Sequence, residues 1–112
     1  MKHTFTFVVN FRGGTYCSQV LAKDINSSLK EWLNKIRTEK SEIKHLGENT
    51  LINLENEIRD NDTSPVALTG LHNIWFTILS SKMGPFHINI IQTDIKKQNE
   101  HEMARHRKEL KR

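Results

Sequence analysis

The sequence predicts an α+β domain in the order ββααββ(α). It has a four-stranded, mostly antiparallel sheet, two helices packed on one face, and a charged C-terminal tail that can be helical. Three observations carry this prediction. Residues 4–22 alternate in polarity on either side of a Gly-Gly pair, the period-two signature of a hairpin. Residues 25–58 change to helical spacing. Residues 73–92 return to alternation around Lys82-Met83-Gly84-Pro85.

In the first strand, Phe5, Phe7, Val9 and Phe11 point one way, and Thr4, Thr6, Val8 and Asn10 the other. The second strand sets Tyr16, Ser18, Val20 and Ala22 against Cys17, Gln19 and Leu21. Gly13 and Gly14 suit the positive φ angles at the centre of a type I′ turn. With that turn Phe11 pairs with Tyr16, Val9 with Ser18, Phe7 with Val20 and Phe5 with Ala22. A slip of one residue sends the phenylalanines to the wrong face, so the pattern constrains the register.

Asp24 offers an N-cap for a helix with Ile25, Leu29, Trp32, Leu33 and Ile36 on one stripe, fading near residues 39–41. A connector containing Ile43 and Leu46 ends at Gly47. A second helix follows over about Asn49 to Asp60, with Leu51, Leu54 and Ile58 inward. It is acidic, with Glu48, Glu55, Glu57, Asp60 and Asp62 in or beside it against Arg59. After a loop at residues 61–65, two strands form the second hairpin. The first is expected to turn Ile74, Phe76 and Ile78 inward and Trp75, Thr77 and Leu79 outward. The second turns Phe86, Ile88 and Ile90 inward and His87, Asn89 and Ile91 outward. Two helices with one apolar stripe each cover one face of the sheet.

The 112 residues are enough for one domain, assigned to 1–93, with 94–112 as a separate basic tail. The formal net charge is +4. Residues 1–93 carry 10 Lys/Arg and 9 Asp/Glu, and residues 94–112 carry 7 and 4, so the excess sits in the tail. No apolar run approaches the roughly 20 residues that span a bilayer, and one cysteine cannot form an internal disulfide. A cytoplasmic location with no membrane partner is expected.

The stretch Asn10-Phe11-Arg12-Gly13-Gly14-Thr15-Tyr16-Cys17 leads from strand to strand. A phosphate-binding loop instead leads into a helix N-terminus, so these glycines are read as a turn. Leu46-Gly47-Glu48-Asn49-Thr50 resembles the glycine turn of a helix-hairpin-helix DNA motif at its glycine alone; the helix that follows is acidic. The histidines and Cys17 lack the tight spacing of a zinc site, and no metal or other cofactor is expected. Cys17 with His87 is the sole arrangement for a cysteine nucleophile, and the sequence shows no group that activates the thiol.

Two features point to binding rather than to catalysis. If the second sheet face is open, it displays Trp75 among Asn10, Gln19, His87 and Asn89, with Arg12 at the turn beside it. An aromatic anchor ringed by polar groups is typical of a protein-recognition surface. The expected function is therefore a small non-enzymatic protein-binding module, such as an inhibitor or a toxin-neutralising immunity-type protein. The second feature is the tail, where Arg105, Arg107, Lys108, Lys111 and Arg112 could neutralise phosphates. It supports the alternative of RNA binding through the tail and the open face. The element order ββααββ differs from the βαββαβ of the RNA-recognition motif, no paired aromatic motif appears, and the interleaved Glu102 and Glu109 dilute the charge.

Overall fold

The computed structural model describes residues 2–39, 43–60 and 65–94. The order is β1 (His3–Phe11), β2 (Gly14–Ala22), α1 (Ile25–Thr38), α2 (Glu48–Arg59), β3 (Val66–Ala67), β4 (Ile74–Leu79) and β5 (Phe86–Gln92). The α+β class and the antiparallel sheet are as the patterning predicts. The sheet has five strands rather than four, in the order β2-β1-β5-β4-β3. The added strand, β3, is two residues long, too short for alternation to reveal it. The tail residues Arg105, Arg107, Lys108, Lys111 and Arg112 lie outside the described residues.

The first hairpin keeps its expected faces but shifts its register by two residues. Phe5 pairs with Val20, Phe7 with Ser18, Val9 with Tyr16, and Phe11 with Gly14. The turn is centred on Arg12 and Gly13, both at positive φ (49° and 82°), as a type I′ turn needs. Gly14 is used for space instead. A Cβ there would lie 2.5 Å from the Tyr16 hydroxyl oxygen, because the Tyr16 ring folds over it. Arg12 accepts the left-handed conformation while its guanidinium donates to the Met83 carbonyl at 2.8 Å. That bond ties the β1–β2 turn to the β4–β5 turn.

α1 begins at Asp24, whose side chain accepts from the Ser27 N–H at 2.7 Å. That backbone bond, with the Ser27 side chain second, holds the Asp24 carboxyl below its ordinary value. Leu29, Trp32, Leu33 and Ile36 of α1 and Leu51 and Leu54 of α2 are buried. They meet Phe5, Phe7, Val9, Phe11, Val20, Phe86, Ile88 and Ile90 in one core cluster. Trp32 organises its centre: it stacks on Phe7 at 5.6 Å and meets Phe86 edge-on at 6.4 Å. α2 is also tied to the second hairpin, since the Ser80 N–H donates to Glu57 at 2.9 Å and the Lys82 N–H to Asn53 at 3.1 Å.

β4 departs from expectation, and the departure matters for the site. Trp75, Thr77 and Leu79 face the helices, while Ile74, Phe76 and Ile78 face away. Its partner decides this: Trp75 pairs with Ile90, Thr77 with Ile88 and Leu79 with Phe86, and those three β5 residues are buried. Both faces of β4 are apolar in sequence, so its own alternation could not choose between them.

Candidate interaction surface

Both helices lie on one side of the sheet, and the other side displays a grid whose rows follow from the strand register. One row runs Gln19–Thr6–Ile91–Ile74. The next runs Cys17–Val8–Asn89–Phe76–Val66. A third runs Thr15–Asn10–His87–Ile78. None of these residues is Lys, Arg, Asp or Glu.

The grid divides into two halves. Over β1 and β2 it is mostly polar, with Val8 at its middle, and internally hydrogen-bonded. Thr15 Oγ1 donates to Asn10 Oδ1 at 2.8 Å, and Gln19 Nε2 donates to Thr6 Oγ1 at 3.0 Å. Thr6 and Thr93 share a hydroxyl contact of 2.7 Å. Over β5, β4 and β3 it is apolar, with Ile91, Ile74, Phe76, Ile78 and Val66. Val66 is 66% exposed and Ile78 42%, and Ile74, Phe76 and Ile91 are half-buried. Phe76 stands at the middle of this half. Asn89 is directly opposite it, and the His87 ring is 6.4 Å away.

Of the residues read from the sequence as the interaction surface, Asn10, Gln19, His87 and Asn89 do share this face. Trp75 does not, which corrects the expectation for the anchor. It packs edge-on to Phe5 at 6.1 Å, against the core. Phe76, one residue on, occupies the place expected of Trp75. Arg12 sits at the end of the hairpin, engaged with Met83. Phe76, Ile78 and Ile74 were missed as surface residues. The signal that finds them lies in β5, where Phe86, Ile88 and Ile90 against His87, Asn89 and Ile91 leave no ambiguity of phase for a paired strand to inherit.

Cys17 is exposed on the same face. His87 lies two strands away and one row (two residues) along, with β1 between them, so the two side chains start about 12 Å apart. That spacing is too long for a thiol–imidazole hydrogen bond. Among the described residues, no three His, Cys, Asp or Glu side chains come together as a metal site, and no helix is long and apolar enough to cross a membrane.

Concavities on the helix side, among the described residues, include the following two. A cavity of about 220 Å³ under β2 is lined by Tyr16, Ser18, Trp32, Ile36 and Glu39, among others. A shallow groove between the helices has Leu33 and Ile58 with Lys30, Arg37, Glu55 and Arg59. Arg37 and Glu55 are ion-paired across it.

Where β5 ends, Asp94 closes the sheet. Its carboxylate accepts from the Thr4 N–H, meets His3 Nδ1 at 2.5 Å, and accepts from Gln92 Nε2 at 3.2 Å. The Thr4 N–H first, and then His3, hold the Asp94 carboxyl below its ordinary value.

The fold and surface define a five-stranded antiparallel sheet half-covered by helices, a class of architecture that serves many functions. No family model matches the chain, and neither a curated protein nor a solved structure matches it at a significant level.

Proposed function

We propose that this chain is a non-enzymatic binding module that holds another protein against the apolar half of its open sheet face. The observation that carries the reading is the uncharged patch of Ile74, Phe76, Ile78, Ile91 and Val66, bordered by Asn89 and His87. Contiguous apolar surface with a polar border marks interaction sites on soluble domains, and a central aromatic ringed by such groups is the usual anchor. The chemistry selects a partner that presents an apolar, largely uncharged surface, because a charged group buried there would find no counter-ion. A small protein that masks the working surface of another, as an inhibitor or immunity-type protein does, is the concrete form proposed.

The test uses Phe76→Asp, which places a carboxylate at the centre of the patch. The partner captured by the intact chain should be lost by Phe76→Asp, with the far-UV spectrum and thermal midpoint retained. Undiminished capture by the folded variant refutes the reading. RNA binding through residues 105–112 and the open face is the competing outcome. It predicts affinity for single-stranded RNA that falls steeply with salt and disappears when residues 95–112 are removed.

A further inference from the structure

Among the described residues, the two edges of the sheet are treated differently. On one side the edge strand β3 is two residues long and directly follows Pro65, the usual way to blunt an edge. On the other side β2 runs nine residues, Gly14–Ala22, with no charge and no proline. It pairs with β1 without interruption along its whole length.

The backbone groups that β2 presents outward can be identified. The Thr4 carbonyl accepts from the Thr93 N–H, so it points towards the β5 side of β1. Alternation then sends the N–H and C=O groups of residues 14, 16, 18, 20 and 22 to β1 and leaves those of Thr15, Cys17, Gln19 and Leu21 facing outward. The Gln19 carbonyl confirms this parity, since Lys35 Nζ reaches it from α1 at 2.9 Å. A carbonyl has two lone pairs, so the lysine leaves one for an incoming N–H.

We infer that β2 is a homodimerisation edge, pairing antiparallel with β2 of a second copy to join two five-stranded sheets. The strand is self-complementary about Ser18. A two-fold axis there sets Cys17 opposite Gln19 of the second copy, Tyr16 opposite Val20, and Thr15 opposite Leu21. All four outward-facing residues fall in hydrogen-bonded pairs, giving about eight inter-chain N–H···O bonds. Tyr16–Val20 is an aromatic–β-branched pair, a favourable cross-strand combination. β2 itself carries no charged side chain, and the Lys35 of each copy, held at the Gln19 carbonyl, is the charge that approaches the axis. α1 directs Trp32 inward over Phe7 and Phe86. This surface is separate from the Phe76 patch, and the joined sheet would carry two such patches on one side.

Sedimentation equilibrium of the full chain from about 5 to 500 µM tests the inference, a range that brackets micromolar association. The expected result is a monomer–dimer equilibrium. Cys17→Lys and Gln19→Lys each place like charges across the axis and should weaken it at least tenfold. The double variant Cys17→Lys/Gln19→Glu sets opposite charges face to face and should restore it. In a Cys17→Ser background, Ser18→Cys should form an inter-chain disulfide under mild oxidation faster than Thr15→Cys or Leu21→Cys, because residue 18 alone meets its own copy. A monomer at 500 µM overturns the inference. So does a dimer that survives Cys17→Lys but is lost in Phe76→Asp, which would place the second copy on the open face instead. Partner capture that fails in Phe76→Asp while the dimer persists keeps the two surfaces distinct.

Discussion

The phase of β4 decides which side chains the sheet exposes, and one pair of neighbouring residues tests it. Leu79 is fully buried against Phe86, whereas Ile78 is 42% exposed on the other face. Leu79→Ala removes about three methylene equivalents, worth about 0.8 kcal/mol each. The cavity left behind raises the cost to about 3–4 kcal/mol, within the range for buried leucines. For a domain of this size, 1 kcal/mol moves the thermal midpoint by about 4–8 °C, so Leu79→Ala should lower it by roughly 12–30 °C. Ile78→Ala gives up only part of its burial, and should cost about 1 kcal/mol or less. Both can be read from urea unfolding followed by circular dichroism, with the slope unchanged if the transition stays two-state. An equal or reversed ranking would invert β4, return Phe76 to the core, and remove the basis of the proposed surface.

Other predictions follow from single contacts. Trp32→Ala should cost about 3–5 kcal/mol in the same urea assay, because it empties the site between Phe7 and Phe86; a loss under 1 kcal/mol would contradict the stacking. Gly13→Ala forces a Cβ into the left-handed region and should cost about 1 kcal/mol, checked by the shift in urea midpoint. Asp94, held chiefly by the Thr4 N–H, and Asp24, held chiefly by the Ser27 N–H, both have carboxyl groups below their ordinary value. Such a group contributes stability above its unfolded-state value, and that contribution is lost as pH falls through the lowered folded-state value. The urea midpoint should therefore fall on the acid side of pH 4, and Asp94→Asn should flatten part of that slope. A slope identical in the variant would show that the Asp94 clamp does not form.

The elements with one apolar side were legible in the sequence. β1 is an example: phenylalanines and a valine alternate with threonines and an asparagine, so the core face follows from period two. α1 is another, since Asp24 marks its start and one stripe marks its buried side. The first hairpin was legible in its faces but not in its register. A shift of two residues preserves every face, so polarity could not choose between Gly13-Gly14 and Arg12-Gly13 as the turn. That choice rests on Arg12 reaching Met83, some seventy residues away (a contact between two turns), and on Tyr16 lying over Gly14. The candidate surface was half legible. Asn10, Gln19, His87 and Asn89 were assigned to the open face because their own strands are unambiguous, whereas the anchor was displaced from Phe76 to Trp75 by the two-sided apolar pattern of β4.

The sequence by itself therefore determined the class, the order of the main elements and the faces of β1, β2, β5 and both helices. Each of these follows from local periodicity, which a single strand or helix carries within its own residues. Only the tertiary structure decided the register of the first hairpin, the phase of β4, the existence of β3 and the exposure of the β2 edge. Each of those depends on which neighbour a strand acquires. A hydrogen-bonded partner imposes its own burial phase on an ambiguous strand, and a strand becomes an edge only when nothing pairs with its outer side.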